Sequence, residues 1–286
     1  MKQTKNMHPS QENFKTNRAL RFYFEVLGLE RLHYGLWEES DALTLDGVKL
    51  AQERYENFLI TEIEGIANTQ GTTTILDVGC GSGIMSEALH NKGFKVEGLS
   101  PDLYQKEVFE KRLPGKFILA RFQNFEPSTK YEVLVMSESA QYIPLHQLFD
   151  KAKECLVNDG YLLVCDYFTL DHATGLLGKS GHRLNAFLET AAKSGFEIIK
   201  HRDITAQTIP TLDAAMSFLN KYIYPALDIV AEKFIEKKPR LFKFLKWIFR
   251  KKILKFHQNL ELIDSAKFAN QKRYMYYLLR KSNEKG

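Results

Sequence analysis

The amino-acid sequence predicts an α/β fold: a mostly parallel sheet of seven strands, covered by helices on both faces. Three observations carry the prediction. From residue 73 to residue 204, short β-branched or aromatic runs alternate with helical patterns, the rhythm of right-handed crossover units. The first of these runs stops at a glycine cluster that opens a helix. After Ile204 the rhythm breaks into a long basic helical stretch, and a strand pattern returns only at 273–281.

In order along the chain, residues 10–31 hold a helical pattern ending near Gly28 and lead into the aromatic turn LHYGLWEE (32–39). Asp46 is placed to cap a helix running to about Asn68, with Leu50, Phe58, Leu59, Ile63 and Ile66 on its apolar face. TTILDV (73–78) has the composition of a buried strand, and IMSEALHNKG after it is a helix closed by Gly93. FKVEGL (94–99) is a strand and DLYQKEVFEKRL (102–113) a helix; KFILA (116–120) and YEVLVM (131–136) are strands. A helix over 145–157 precedes GYLLVCDYF (160–168), the most apolar strand. HRLNAFLETAAKSG (182–195) is helical and FEIIKHRDI (196–204) is a strand. Residues 212–270 then read as a helical insertion before the last strand, RYMYYLLRK (273–281). One domain accommodates all of this: an N-terminal lid (1–45), a core (46–206), a basic helical insertion or cap (207–270), and the last strand with its tail (271–286).

Bulk properties narrow the function classes. The chain of 286 residues is 44% hydrophobic and 26% charged, enough for a packed core and too ordinary for disorder. Forty basic against 35 acidic residues give +5, too small an excess to argue for nucleic acid. The opening MKQTKNMHPSQENFK lacks the apolar stretch of a signal peptide, and no apolar run approaches the ~18 residues of a membrane span. Cys80, Cys155 and Cys165 have no metal-ligand spacing, which points to a reducing cytoplasm, no disulfide framework and no metal. Cys155 and Cys165 lie in apolar segments and read as core.

ILDVGCGSG (75–83) is the most specific stretch. A strand delivers Asp77, and Gly79, Gly81 and Gly83 then let the backbone approach a ligand at a helix N-terminus. The spacing differs from the dinucleotide fingerprint, because here the acid precedes the glycines. The stretch closely resembles class I S-adenosylmethionine-dependent methyltransferases. That resemblance implies a Rossmann-like sheet, S-adenosylmethionine as cofactor, and a loop of Asp77, Gly79, Cys80 and Gly81 packed against its sulfonium nucleoside. Most of that family ends the second strand with an acid that grips both ribose hydroxyls, whereas this chain has Ser100. GLSPDLYQ (98–105) is similar in layout to a segment of cyclopropane-fatty-acid synthases and tocopherol methyltransferases, which also carry a hydroxyl and a glutamine at the positions of Ser100 and Gln105. The clamp is then altered rather than missing, with Asp102 either a second contact or a plain helix cap. After the third strand, Phe122, Gln123 and Asn124 are candidates for the adenine, against the alternative of a simple surface turn.

VMSESAQYIP (135–144) resembles the family's ESLEHIP-type strand tip, between cofactor and acceptor. It offers Ser137, Glu138 and Ser139, with Glu138 a general base or a helix cap; Gln141 and Tyr142 stand where relatives carry an acid and a His. Asp166, Tyr167, His172 and His182 follow the fifth strand, and either His is placed to take a proton near neutral pH or is simply solvated. The candidate catalytic set is Glu138, Tyr142 and His172. HYGLWEE (33–39) resembles the HYGYW-type lid of small-molecule methyltransferases, which implies Tyr34 and Trp37 as a roof over the cofactor, with core packing as the alternative.

Residues 233–255 hold ten basic residues and one acid, Glu236, interleaved with aromatic and aliphatic side chains. Such a segment reads either as a peripheral contact with a membrane's inner face or as a cap helix with its lysines in water; RNA contact lacks any accompanying motif. GFEIIKHRDITAQTIPTLD (195–213) also looks like the tail that precedes a helical substrate cap in the tocopherol and cyclopropane-synthase group. The expected activity is methyl transfer to a small-molecule or lipid-like acceptor. Two rivals stand beside it: cyclopropane-synthase-like lipid modification, and a catalytically silent cofactor-binding module docked on a membrane or partner.

Overall fold

The computed structural model describes residues 14, 16, 18–67 and 73–282. The helix expected over 10–13, 15 and 17, the end expected for its neighbour at Asn68, the opening segment 1–13 and the tail beyond 282 lie outside the described residues. Seven strands form one sheet in the order β3-β2-β1-β4-β5-β7-β6. They are β1 (Thr74–Val78), β2 (Lys95–Ser100), β3 (Phe117–Leu119), β4 (Tyr131–Ser137), β5 (Leu156–Thr169), β6 (Phe196–Asp203) and β7 (Lys272–Lys281). The first five are parallel, and β7 lies antiparallel between β5 and β6. Strand order reverses between β1 and β4, so a crevice opens at their carboxyl ends.

The pleat sorts side chains onto two buried faces. Leu134 and Met136 join Phe149, Phe187 and Tyr277 on one face, while Val133 and Val135 join Tyr55, Leu59 and Tyr276 on the other. The helices of the core are α2 (Leu45–Ile66), α3 (Ile84–Asn91), α4 (Leu103–Arg112), α5 (Leu145–Cys155) and α6 (Leu184–Lys193). They follow α1 (Arg18–Arg21), which continues into a π turn, Phe22–Val26.

Two expectations for α2 need correction. Thr44, not Asp46, is the N-cap, its hydroxyl accepting from Gly47 N at 3.2 Å; Asp46 sits in the first turn, where a carboxylate suits the helix dipole. Its buried stripe is Val48, Ala51, Tyr55, Leu59 and Ile63, and Leu50 is exposed. The helix expected over 145–157 stops at Cys155, and β5 starts at once with Leu156.

Between β6 and β7 run α7 (Thr205–Thr208), α8 (Pro210–Phe218), a π turn (Leu219–Ile223), α9 (Tyr224–Lys237), α10 (Pro239–Asn259) and α11 (Ser265–Gln271). Leu212 of α8 and Phe268 of α11 are buried together with Leu177, which roots the insertion in the core. No helix among the described residues is long and apolar enough to cross a membrane.

Candidate active site

The crevice at the strand tips is a cleft of about 410 Å³. The β1–α3 turn forms its floor. Gly79 has φ +78°, and a Cβ there would lie 2.5 Å from the Cβ of Ser139, so only glycine lets the β1 and β4 tips close together. At Gly81, φ is +56° and the nearest atom to an added Cβ is Leu32 Cδ1 at 4.0 Å, so that position looks into the cleft. Asp77 is buried, and its Oδ2 accepts from Ser86 Oγ at 2.6 Å, tying β1 to the first turn of α3.

The β2 tip supplies Ser100, 3% exposed, whose Oγ accepts from Asp102 N at 3.2 Å. Asp102 caps α4, its Oδ1 taking Tyr104 N and Gln105 N at 2.9 Å each. Both residues also line the cleft, so capping α4 does not take Asp102 away from its wall. Gln105 Oε1 is buried and meets no donor. Cys80, Phe122, Gln123 and Ser137 complete the expected lining, with Arg121 beside them.

Glu138 stands at the tip of β4 with φ +53°, a conformation uncommon for any residue but glycine. Its Oε1 accepts from Tyr274 Oη at 2.5 Å and from Tyr34 N at 2.6 Å. Burial raises the Glu138 carboxyl above the ordinary range, against the opposing pull of His33 and these two donors. Tyr142 lies at the mouth, 76% exposed.

Three assignments made from the sequence are corrected. Trp37 does not roof the cleft; its ring is buried with Leu29, Val48 and Ala214, and its Nε1 donates to Thr211 Oγ1 at 2.8 Å. Tyr34 packs on Phe268 and Tyr274, outside the cleft wall, and only its backbone reaches the site. His172 lies outside as well, its Nε2 donating to Asn270 O at 2.8 Å. His182 is held by the carbonyls of Ala140 and Ile143, and Asp166 is buried beneath the turn, taking Gln141 N at 3.0 Å.

The cleft also holds residues that the sequence reading passed over. Glu56 of α2 accepts from Arg31 Nε at 2.6 Å and faces His33 Nε2 at 3.3 Å, and all three line the wall. Burial alone would lower the His33 pKa, but Glu56, with Glu138 adding, outweighs it and holds the ring above its ordinary value. His33 sits inside the HYGLWEE stretch, so the lid was found and the wrong side chains were chosen from it.

This glycine turn, its preceding acid and the hydroxyl at the second strand tip coincide with a match to the Methyltransferase domain model over residues 51–210, more than half of the chain. The chain belongs to the methyltransferase-domain family. The enzyme is accordingly an S-adenosylmethionine-dependent methyltransferase with a Rossmann-like sheet. No curated protein matches it. Among solved structures it is similar to a protein described as a sarcosine dimethylglycine methyltransferase from Galdieria sulphuraria, at 18% identity, TM-score 0.69, and coverage of 93% of this chain and 99% of that one. A geranyl diphosphate C-methyltransferase from Streptomyces coelicolor A3(2) matches at 14% identity and TM-score 0.63, over 90% and 92% of the two chains. The [4+2]-cyclase SpnF matches at 17% and 0.64, over 94% and 97%. The methyltransferase's own residues fit the cofactor: the Gly81 cradle that a side chain would fill, and the orphaned Gln105 acceptor that a hydroxyl or amine would satisfy.

Buried acids make the methyltransferase's stability pH-dependent. Burial pushes Asp166 up to about 8, with Glu138 adding to the push, and pushes Asp77 up to about 7. The folded state therefore keeps protons that the unfolded chain has released above about pH 4. Stability is full below that value and falls as pH rises through 7 to 8. Thermal melts should show Tm declining from about pH 5 to about pH 8.5, and Asp166→Asn should flatten the decline. A wild-type Tm that stays level across that window would remove the assignment.

Proposed function

We propose that this methyltransferase acts on a small, lipid-like acceptor brought to the cytoplasmic face of a membrane by peripheral contact through residues 233–255. S-adenosylmethionine supplies an electrophilic methyl group on a sulfonium. Asp77, Gly79, Cys80 and Gly81 would form the floor against it, Ser100, Asp102 and Gln105 would hold its ribose, and Phe122 and Gln123 its base, with Ser137 at the strand tip. Glu138 and Tyr142 face the acceptor. In-line alignment supplies much of the acceleration, so few catalytic groups are needed.

The observation that carries the acceptor class is the exposed insertion, whose apolar side chains Phe244, Trp247 and Leu254 stand among lysines and arginines in solvent. The fold itself does not choose. Structures sharing it are described as acting on sarcosine in one case and geranyl diphosphate in another. Incubation with labelled-methyl cofactor and separate lipid and aqueous extracts tests the reading. Label in the lipid fraction supports it, and label confined to the aqueous fraction rejects the lipid-like class.

The Ser100 hydroxyl, with Asp102 N already on its oxygen, keeps its proton to donate to a ribose oxygen. Ser100→Ala should weaken cofactor binding by about 0.5–1.5 kcal/mol, the usual worth of one neutral hydrogen bond. Unchanged affinity by calorimetry would leave the ribose to Asp102 and backbone.

A further inference from the structure

The hairpin of α9 and α10 takes no part in the cleft, and neither helix contributes a buried residue. The two helices touch through Phe234 and Phe242, whose ring centroids are 6.4 Å apart. Beyond that contact the apolar side chains face outward: Leu227, Ile229 and Val230 on α9, and Phe244, Trp247 and Leu254 on α10. A globular protein rarely leaves so many large apolar side chains of one hairpin in water without a partner.

Charge identifies the partner. Residues 233–255 carry ten cations and one carboxylate, a net +9 in a chain whose total is +5. None of the ion pairs among the described residues includes one of these ten cations. A second copy meeting the same face would set like charge against like charge. A nucleic acid would pair with the cations and leave the apolar residues uncovered. An anionic bilayer satisfies both. Its surface attracts lysines and arginines, and its interface takes up aromatic rings. Arg250 lies 5.9 Å from the Trp247 ring centroid and Lys252 lies 5.5 Å from that of Phe249, so cations stand directly beside aromatic rings, the pairing that an anionic interface takes up. The hairpin cannot cross the membrane, because α10 holds seven Lys and Arg in its 21 residues.

We propose that the α9–α10 hairpin lies along the surface of an anionic phospholipid bilayer, with Trp247 seated in the interface. This rests on the peripheral contact proposed above for 233–255 and extends it to both helices and to a stated orientation.

The chain has two tryptophans, Trp37 buried at 5% exposure and Trp247 at 62%, so a shift of emission reports Trp247. The full chain is titrated with vesicles of phosphatidylglycerol and phosphatidylcholine, and with phosphatidylcholine alone. A blue shift with the anionic vesicles only, reversed as salt shortens the Debye length from about 10 Å toward 3 Å, is the expected result. Reversing Lys243, Lys246, Arg250 and Lys251 to Glu should weaken vesicle binding by at least about a hundredfold, with cofactor affinity unchanged. The milder pair Trp247→Ser and Leu254→Ser should weaken it in a protein of unaltered helicity. No shift, an equal shift on neutral vesicles, or lipid-free dimerisation through the hairpin would each overturn the proposal. Label appearing in lipid extract despite absent vesicle binding would sink the hairpin alone and leave the acceptor reading standing.

Discussion

Gly81→Val should bind S-adenosylmethionine on the order of a hundredfold more weakly than the wild type, a loss of about 2.7 kcal/mol, while remaining folded. Two effects are superposed in this variant and can be separated. A β-branched residue at φ +56° is strained by roughly 1–3 kcal/mol, and that strain falls on stability. The side chain itself projects toward Leu32 across the cleft, where nothing of the protein stands within 4 Å except Leu32 Cδ1 at 4.0 Å, and that bulk falls on the cofactor. Gly115→Val is the control. Gly115 has φ +71° with nothing within 4 Å of an added Cβ, and it lies in the α4–β3 turn, away from the cleft. The two variants should lose similar stability by thermal melt, and only Gly81→Val should lose cofactor affinity by calorimetry. Equal affinity in both would remove the glycine turn from the cofactor site. Gly79 is the poorer test, because a side chain there strikes Ser139 and disturbs the sheet tips themselves.

What was legible in the sequence was local. Asp77, Gly79 and Gly81 lie within one strand–turn–helix unit, and the chemistry of that turn is written in consecutive residues. The strand alternation was legible for the same reason, since most of the strands carry their own apolar run, whereas β6 buries only Phe196 at its start. Which side chains of the HYGLWEE stretch face the cleft was not, because their partners are distant: Trp37 is held by Thr211 and Tyr34 by Phe268 and Tyr274. An aromatic motif gives no sign of which way its rings face until those partners are placed. The Arg31–His33–Glu56 cluster joins a loop to the middle of α2 across 25 residues, and a lone glutamate on a helix carries no signal of its own. The amphipathic character of 233–255 was plain, whereas its freedom from the core depended on how α8 and α11 dock. Tyr274 was invisible as a site residue, because only the antiparallel insertion of β7 beside β5 brings it under Glu138.

That last contact makes the second large effect specific. Glu138→Gln should cut turnover by about 10²–10⁴-fold, the usual worth of a general base, with cofactor affinity held. Both hydrogen bonds to Glu138 land on Oε1, from Tyr274 Oη and Tyr34 N, and glutamine keeps an oxygen to accept them. The lid contact and the φ +53° backbone are therefore preserved, while the group that can take the acceptor's proton is gone. The pH profile supplies the independent readout. Burial raises this carboxyl, so it ionises above the ordinary carboxylate range, and only the ionised form can act as base. Wild-type kcat should rise with pH through that raised pKa, and the rise should vanish in Glu138→Gln. Tyr274→Phe removes one donor that favours the charged form, and should move the rise to higher pH with a smaller loss of rate. Should Glu138→Gln keep its rate within about threefold and retain the rise, another group takes the proton. Glu138 would then act only by anchoring the backbone of Tyr34, which glutamine does equally well.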